Sequence, residues 1–277
     1  MRVAGAIGGE IVSADSRQVY RGMDIGTAKP TTEERARVPH HLIDVADPGE
    51  RYDVFRFQAD ARAVLDAIGS RGRAAVVVGG TGLYVRALLD GLDLASVPTD
   101  PVLRARIEAE AERDGADALH RRLQELDPRA AARVDARNIR RVVRYVEAAL
   151  LTGGLTASWR RDGAIPARRI GLAPPRATLI SAIEARVRRM VDAGVLEETR
   201  ALLARVQDPT SPSLTGHGYV HWSAHLRGEI TLDEAAELTI RDTRRYSRRQ
   251  MTWFRRDSAV RWMDPTAEDP LPATLSE

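Results

Sequence analysis

Cysteine is absent from the 277 residues, which excludes disulfide frameworks, thiolate metal sites and cysteine nucleophiles. No apolar run approaches the ~18 residues needed to span a bilayer, so no membrane association is expected. No charged segment followed by an apolar stretch opens the chain, which argues against a secretory signal peptide. Lysine is almost missing too: Lys29 is the only one among 42 basic residues, and arginine holds the rest. The expectation is a cytoplasmic globular protein, 43% hydrophobic and 29% charged, with room for one large domain or two small ones.

Net charge is only +3, yet the isoelectric point is about 9.6 because the bases are arginines. Nucleotide composition can favour arginine over lysine, but it does not explain where the arginines gather. Between Arg241 and Arg256 seven arginines face a single acid, Asp242. Basic charge concentrated in one stretch of a nearly neutral chain points to an anionic partner, nucleic acid first.

Three short apolar segments, Glu10–Ala14, His41–Val45 and Ala74–Val78, predict strands. Between the last two, Val54, Phe57, Ala61, Val64, Leu65 and Ile68 recur at helical spacing. Strands apolar on both faces and alternating with helices predict a parallel α/β sheet. From Pro101 to Gly153 the pattern is helical, without a convincing strand. Arg168–Leu172 predicts a strand that returns the chain to the sheet. Two helical stretches hinged near Gly194, a longer one over Thr231–Phe254 and a last strand over Val260–Met263 follow. The expected organisation is an α/β core from 1–98, a helical insertion from 99–165, core completion with C-terminal helices from 166–263, and a frayed tail from 264–277.

Two loops fall where parallel sheets place their ligands, beyond strand C-termini. One begins Ala14-Asp15-Ser16-Arg17-Gln18; the other is Gly79-Gly80-Thr81-Gly82, leading into a helix. Glycines before a helix let backbone N–H groups approach an anion, and Thr81 adds a hydroxyl at the cap. A strand–turn–helix junction uses the same residues for purely structural ends, and an aspartate after a strand commonly caps the next turn. Each loop alone is therefore ambiguous.

Taken together, the blocks ADSRQVYRGMDIGTAKP, PHHLIDVADP, VVVGGTGLYVRALLDGL, DPRAAARVDARNIRRVVRYVEAALLTG, RVRRMVDAGVLEETRALL and TRRYSRRQMTWFRRD occur in this order along nearly the whole chain. In that order they resemble the bacterial tRNA dimethylallyltransferases, or tRNA isopentenyltransferases. The resemblance implies a P-loop NTPase-like α/β core with a helical insertion and C-terminal helices. It implies transfer of a dimethylallyl group from dimethylallyl diphosphate to N6 of the adenosine adjacent to the anticodon, with Mg²⁺ as cofactor. Asp15 matches the base that takes the amine proton, and Thr81 matches a residue near the bridging oxygen of the leaving diphosphate, with Gly80 beside it. Ser16, Arg17 and Gln18 would contact the extruded nucleotide, together with Asp15 and Thr81. The segment Arg140, Arg141, Val142, Val143 and Arg144 falls on a tRNA-contacting stretch, and Arg137, Arg140, Arg141 and Arg144 are spaced to share one helix face. The partners implied are the anticodon stem-loop and dimethylallyl diphosphate, with the protein a monomer.

The chain departs from that pattern in two places. The Walker A loop, G-x-x-x-x-G-K-S/T, is absent; Met1–Ile7 matches the end of the helix that should follow it, so an upstream start is expected to restore the loop. Failing that, the chain is a catalytically impaired tRNA-binding fragment. The second departure is Val220, where the family commonly places Arg or Lys after Gly-Tyr. His217 and His221 lie nearby but are left outside the candidate set. Without cysteine the chain also lacks the zinc finger of eukaryotic relatives. A rival activity, prenylation of free adenine nucleotides, is disfavoured by the helical insertion and the two arginine faces, which a mononucleotide does not need.

Overall fold

A computed structural model describes residues 1–92, 99–153, 163–208, 210–216, 218–269 and 271. The chain divides into two compact units, Asp90–Ala164 and the remainder. The helical unit thus begins nine residues earlier than the expected 99–165 segment.

In the larger unit the order is α1 (Arg2–Ala6), β1 (Glu10–Ser13), α2 (Thr32–Arg37), β2 (His40–His41), α3 (Val54–Ser70), β3 (Ala75–Val78) and α4 (Gly82–Leu89). β1 lies between β2 and β3, with both pairings parallel. All four β1 residues are buried, Ile11 and Val12 in apolar packing and Glu10 and Ser13 as hydrogen-bonded polar groups at its two ends. Helix starts are set locally. Thr31 and Glu34 form a reciprocal capping box on α2, and Asp53 caps α3 by accepting from the N–H groups of Phe55 and Arg56. Behind the sheet, Phe57 of α3 stacks on Tyr84 of α4 with ring centroids 4.1 Å apart.

Of the strand expected over His41–Val45 only His41 lies in β2, which pairs His40 and His41 with β1. Leu42 and Asp44 adopt left-handed backbone, φ 61° and 59°, which no strand accommodates. Hydrogen bonds drive this turn: the N–H of Asp44 donates to the Gln18 carbonyl, and its carboxylate receives Lys29.

The smaller unit holds α5 (Pro101–Asp114), α6 (Ala116–Leu126), α7 (Pro128–Ala131) and α8 (Ile139–Thr152). Asp100-Pro101 and Asp127-Pro128 each place a capping carboxylate before proline at the first helical position. Asn138 caps α8, and Gly153 ends it in left-handed conformation. Among its apolar contacts, Ile107, Leu119, Leu123, Val142, Val143 and Val146 form the interior. Glu147 is wholly buried there, receiving Arg104 at 2.6 Å, Arg144 at 2.7 Å and the N–H of Asp100 at 2.8 Å. Burial pushes that carboxyl up, but these donors outweigh it and hold it below its ordinary value.

After the helical unit the chain continues with β4 (Arg169–Leu172), α9 (Arg176–Asp192), α10 (Val195–Arg205), α11 (Tyr219–Leu226), α12 (Leu232–Phe254) and β5 (Val260–Met263). Gly194 makes the hinge between α9 and α10 with φ 94°. The expectation that β4 rejoins the main sheet is corrected: its hydrogen-bonded partner among the described residues is β5, in a separate parallel pair.

At the start of β1, the buried Glu10 carboxylate meets Arg71 at 2.8 Å, His41 at 2.6 Å and Arg73 at 3.3 Å. Arg71 foremost, then His41, holds its pKa at about 2 instead of the ordinary 4.5. A depressed folded-state pKa stabilises the fold above the unfolded value, and that contribution is lost as pH falls from 4.5 toward 2. Glu10→Gln should therefore melt below the wild type at neutral pH, and the gap should narrow across that acid window in thermal scans. A gap independent of pH would assign the loss to packing.

Candidate active site

The parallel register pairs Ser13 with Val78, so the segments leaving β1 and β3 emerge side by side. The N–H of Ala14 donates to the Val78 carbonyl at 2.8 Å, and the N–H of Thr81 donates back to Ala14 at 3.3 Å. Gly79 cannot carry a side chain, because a Cβ there would overlap the Ala14 backbone. The glycines on either side of Thr81 have packing reasons as well: a Cβ on Gly80 would strike Gln250, and one on Gly82 would strike the Trp253 indole.

Thr81 and the Asp15 loop are joined directly. The Thr81 hydroxyl accepts the N–H of Ser16 at 3.1 Å and donates to the Ser16 hydroxyl at 3.3 Å. Asp15 is half-buried, and its Oδ1 accepts from the N–H groups of Arg17 at 2.7 Å and Gln18 at 3.3 Å. That is the capping turn an aspartate after a strand commonly makes. Its Oδ2 has no hydrogen-bond partner among the described residues. One carboxylate therefore does both jobs: one oxygen fixes the loop and the other can accept a proton.

The neighbouring candidates are engaged within the fold. Gln18 accepts the Ser13 hydroxyl at 3.0 Å and donates to the carbonyls of Thr27 and Ala28, each at 3.3 Å. The Arg17 guanidinium donates to the Pro212 carbonyl. Both tie the loop to flanking segments, so a ligand contact would be shared with these bonds.

Three side chains that sequence reasoning left out complete the surroundings. From α12, Tyr246 and Gln250 both donate to the Gly80 carbonyl, at 3.2 and 3.1 Å. Burial foremost, then the Asp15 charge, pushes the Tyr246 phenol up, so it remains a donor. From α10, Glu198 accepts the N–H groups of Asp24, Ile25 and Gly26 at 2.6, 2.8 and 2.9 Å and the Tyr219 hydroxyl at 2.6 Å. It acts as an acidic pin beneath the 24–26 turn. The i, i+4, i+7 spacing of Tyr246, Gln250 and Trp253 within the arginine stripe was the available signal. Nothing local marks Glu198.

This arrangement matches a known family. The model described as IPP transferase covers residues 18–257. The chain belongs to the IPP transferase family. Within that family it is similar to the tRNA dimethylallyltransferase of Thermomicrobium roseum, 47% identical over 268 residues, 96% of this chain and 82% of that one. It is also 50% identical over 269 residues to that of Anaeromyxobacter dehalogenans (strain 2CP-C), 95% of this chain and 89% of the relative. Among solved structures, the tRNA isopentenylpyrophosphate transferase of Bacillus halodurans superposes with a TM-score of 0.68 at 41% identity, covering 95% of this chain and 84% of the other. A eukaryotic dimethylallyltransferase acting on tRNA shares the fold, with a TM-score of 0.78 at 22% identity over 95% of this chain and 69% of that one.

As a member of the IPP transferase family, the chain carries its second group of candidates on the helical unit, where the structure separates them. Arg140 and Arg141 are exposed on the first turn of α8, with Arg141 5.7 Å from the Tyr145 ring centre. Between them and Arg144, Val142 and Val143 are buried in the interior, where their side chains pack the unit. Arg144 is turned to Glu147. Arg137 precedes the helix and pairs with Asp135, so it is not on the shared face.

Magnesium was expected, and the described residues of the site offer it one carboxylate oxygen, Asp15 Oδ2. Mg²⁺ is usually held by one or two carboxylates with substrate phosphates. Among the described residues no three His, Asp or Glu side chains gather for a metal, and the site presents only Asp15 Oδ2 beside two hydroxyls. No helix among the described residues is long and apolar enough to cross a membrane. His217 lies outside the described residues.

Proposed function

We infer that this chain transfers a dimethylallyl group from dimethylallyl diphosphate to N6 of the adenosine adjacent to the anticodon in tRNA. The family membership supports the reaction class, and the names of the relatives supply tRNA as the acceptor. The observation that carries the assignment of roles is the Ser16 bridge between Asp15 and Thr81, which holds a proton acceptor and a hydroxyl donor at adjacent strand ends.

The chemistry needs such a pair. An exocyclic adenine amine is a weak nucleophile, and the allylic C–O bond breaks with positive charge on carbon. As N6 bonds to the allylic carbon, the C–O electron pair leaves on the diphosphate oxygen and the N6 proton passes to Asp15 Oδ2. The Thr81 hydroxyl, the Gly80 backbone and the N-terminal N–H groups of α4 would face the charge developing on the leaving group. Mg²⁺ would add cationic charge if carried in on the diphosphate. On the helical unit, exposed Arg140 and Arg141 are the candidates for gripping the RNA backbone.

Incubation with radiolabelled dimethylallyl diphosphate and unmodified tRNA should label the RNA, with the label on N6-alkylated adenosine after digestion. Arg140→Ala/Arg141→Ala should raise the tRNA KM and flatten the salt dependence of RNA binding by ~0.7–0.9 in log–log slope per lost phosphate contact. Labelled free AMP alongside unlabelled tRNA would replace this reading with nucleotide prenylation. Label on neither acceptor would overturn transfer altogether.

A further inference from the structure

Successive backbone N–H groups that point to one spot make a cradle for an anion. Asp24, Ile25 and Gly26 form such a cradle, and the anion in it is the protein's own Glu198. One carboxylate oxygen accepts from Asp24 and Ile25, the other from Gly26 and the Tyr219 hydroxyl. Tyr219 is buried, and burial foremost, then the Glu198 charge, pushes its phenol up and keeps it a donor. Glu198 makes no ion pair among the described residues, in a chain with 42 basic residues. A carboxylate placed only to neutralise charge would face one of them.

Two arms lead from this carboxylate to Asp15. The first runs through the turn. The N–H groups of Ala28 and Lys29 donate to the carbonyls of Ile25 and Asp24, each at 3.0 Å, so the turn sets where Thr27 and Ala28 lie. The carbonyls of Thr27 and Ala28 hold the Gln18 side chain, each at 3.3 Å, and the Gln18 N–H donates to Asp15 Oδ1. Ala28 is in left-handed backbone at φ 51°, which a non-glycine residue keeps only where its surroundings hold it. The second arm runs through the Tyr219 ring. A Cβ on Gly26 would overlap that ring, and a Cβ on Gly216 would lie 3.5 Å from it and 3.6 Å from the Arg17 side chain. Arg17 supplies the other N–H on Asp15 Oδ1, at 2.7 Å. Both donors that fix this oxygen are thus backed by groups that Glu198 holds.

We propose that Glu198 is a positioning residue for the transfer reaction, aiming the second oxygen of Asp15 through the 24–26 turn and through Tyr219. This rests on Asp15 as the proton acceptor, and it gives a rate-setting role to a side chain that is not bonded to it. A reacting group displaced by about 1 Å can cost a hundredfold in rate, so a small movement of the turn is enough to register in turnover.

Glu198→Gln keeps the shape of the side chain but turns an amino group toward two of the four donors. Its kcat should fall about ten- to hundredfold, with the KM values for tRNA and dimethylallyl diphosphate within about twofold of wild type. Tyr219→Phe keeps the ring and loses one donor, so it should slow transfer by less. Glu198→Ala empties the cradle, and formate should restore most of the lost rate, because a small carboxylate can enter it. Melting curves taken before formate is added show that each protein is folded, so recovery is not refolding. Wild-type turnover in folded Glu198→Gln overturns the proposal. So does a loss confined to the tRNA KM, since the turn then serves RNA binding, and so does a folded Glu198→Ala protein whose rate formate leaves unchanged. If Glu198→Ala does not fold, Glu198→Gln and Tyr219→Phe decide alone. Near-normal turnover in Asp15→Asn overturns the assignment of the base, and the positioning role falls with it. A slow Asp15→Asn beside a wild-type rate in Glu198→Gln overturns the positioning role only.

Discussion

Asp15→Asn should lower turnover about 10²–10⁴-fold while RNA affinity stays within a factor of about two. The substitution is discriminating because the two carboxylate oxygens have separate duties. Asparagine keeps an oxygen for the N–H groups of Arg17 and Gln18, so the loop and the Ser16–Thr81 link survive. What it removes is proton acceptance at the second oxygen. Asp15→Ala would confuse the two, since losing the cap would also release Arg17 and Gln18. The measurement is single-turnover transfer with saturating tRNA, alongside equilibrium RNA binding. A drop in kcat with unchanged affinity supports a base at Asp15. Near-normal turnover would leave Asp15 as a loop cap and move proton acceptance elsewhere.

The division between what sequence reveals here and what it hides follows contact range. Asp15 and Thr81 are legible because each sits in a short motif just after an apolar run, and parallel sheets bring such ends together. Tyr246 and Gln250 show only as a spacing on one helix face, and Glu198 not at all, because their partners include backbone carbonyl and N–H groups far away in the chain. Backbone atoms leave no residue signature at the distant end. The valines of α8 show a different limit of local pattern. A family segment is a contiguous stretch, whereas a helix presents only part of any stretch to solvent. Helical periodicity separates Arg140, Arg141 and Arg144 from Val142 and Val143 by face. Local pattern also foresaw β4 and β5 as strands, but no feature of four residues states which strand pairs with which. The His41–Val45 segment has the apolar pattern of a strand and is bent by a cation at Lys29 that periodicity does not register.

That cation carries the largest expected stability effect. Lys29→Met should lower unfolding free energy by about 3 kcal/mol, the lower end for breaking a buried ion pair, because Arg35 still faces Asp44 at 2.7 Å. The Lys29 side chain is 1% exposed, and its ammonium donates to Asp44 at 2.6 Å, Asp24 at 2.7 Å and the Tyr20 carbonyl at 2.6 Å. Three acceptors around one nitrogen match three rotatable donors, which explains why lysine persists here when every other basic residue is arginine. A planar guanidinium carries its donors in a fork and cannot converge on the same point, so Lys29→Arg should also destabilise despite keeping the charge. Burial pushes the Asp44 carboxyl up, yet Lys29 and Arg35 outweigh it and hold it low; removing Lys29 removes part of that support. The effect should reach the site, because Gln18 is anchored on the carbonyls of Thr27 and Ala28, and Ala28 is itself in left-handed backbone at φ 51°. Urea titration of the three proteins at neutral pH measures the stability order, expected as wild type above both variants. A Lys29→Met protein with the wild-type midpoint and slope would mean that Arg35 and solvent satisfy Asp44 without the ammonium, and that the turn holds itself.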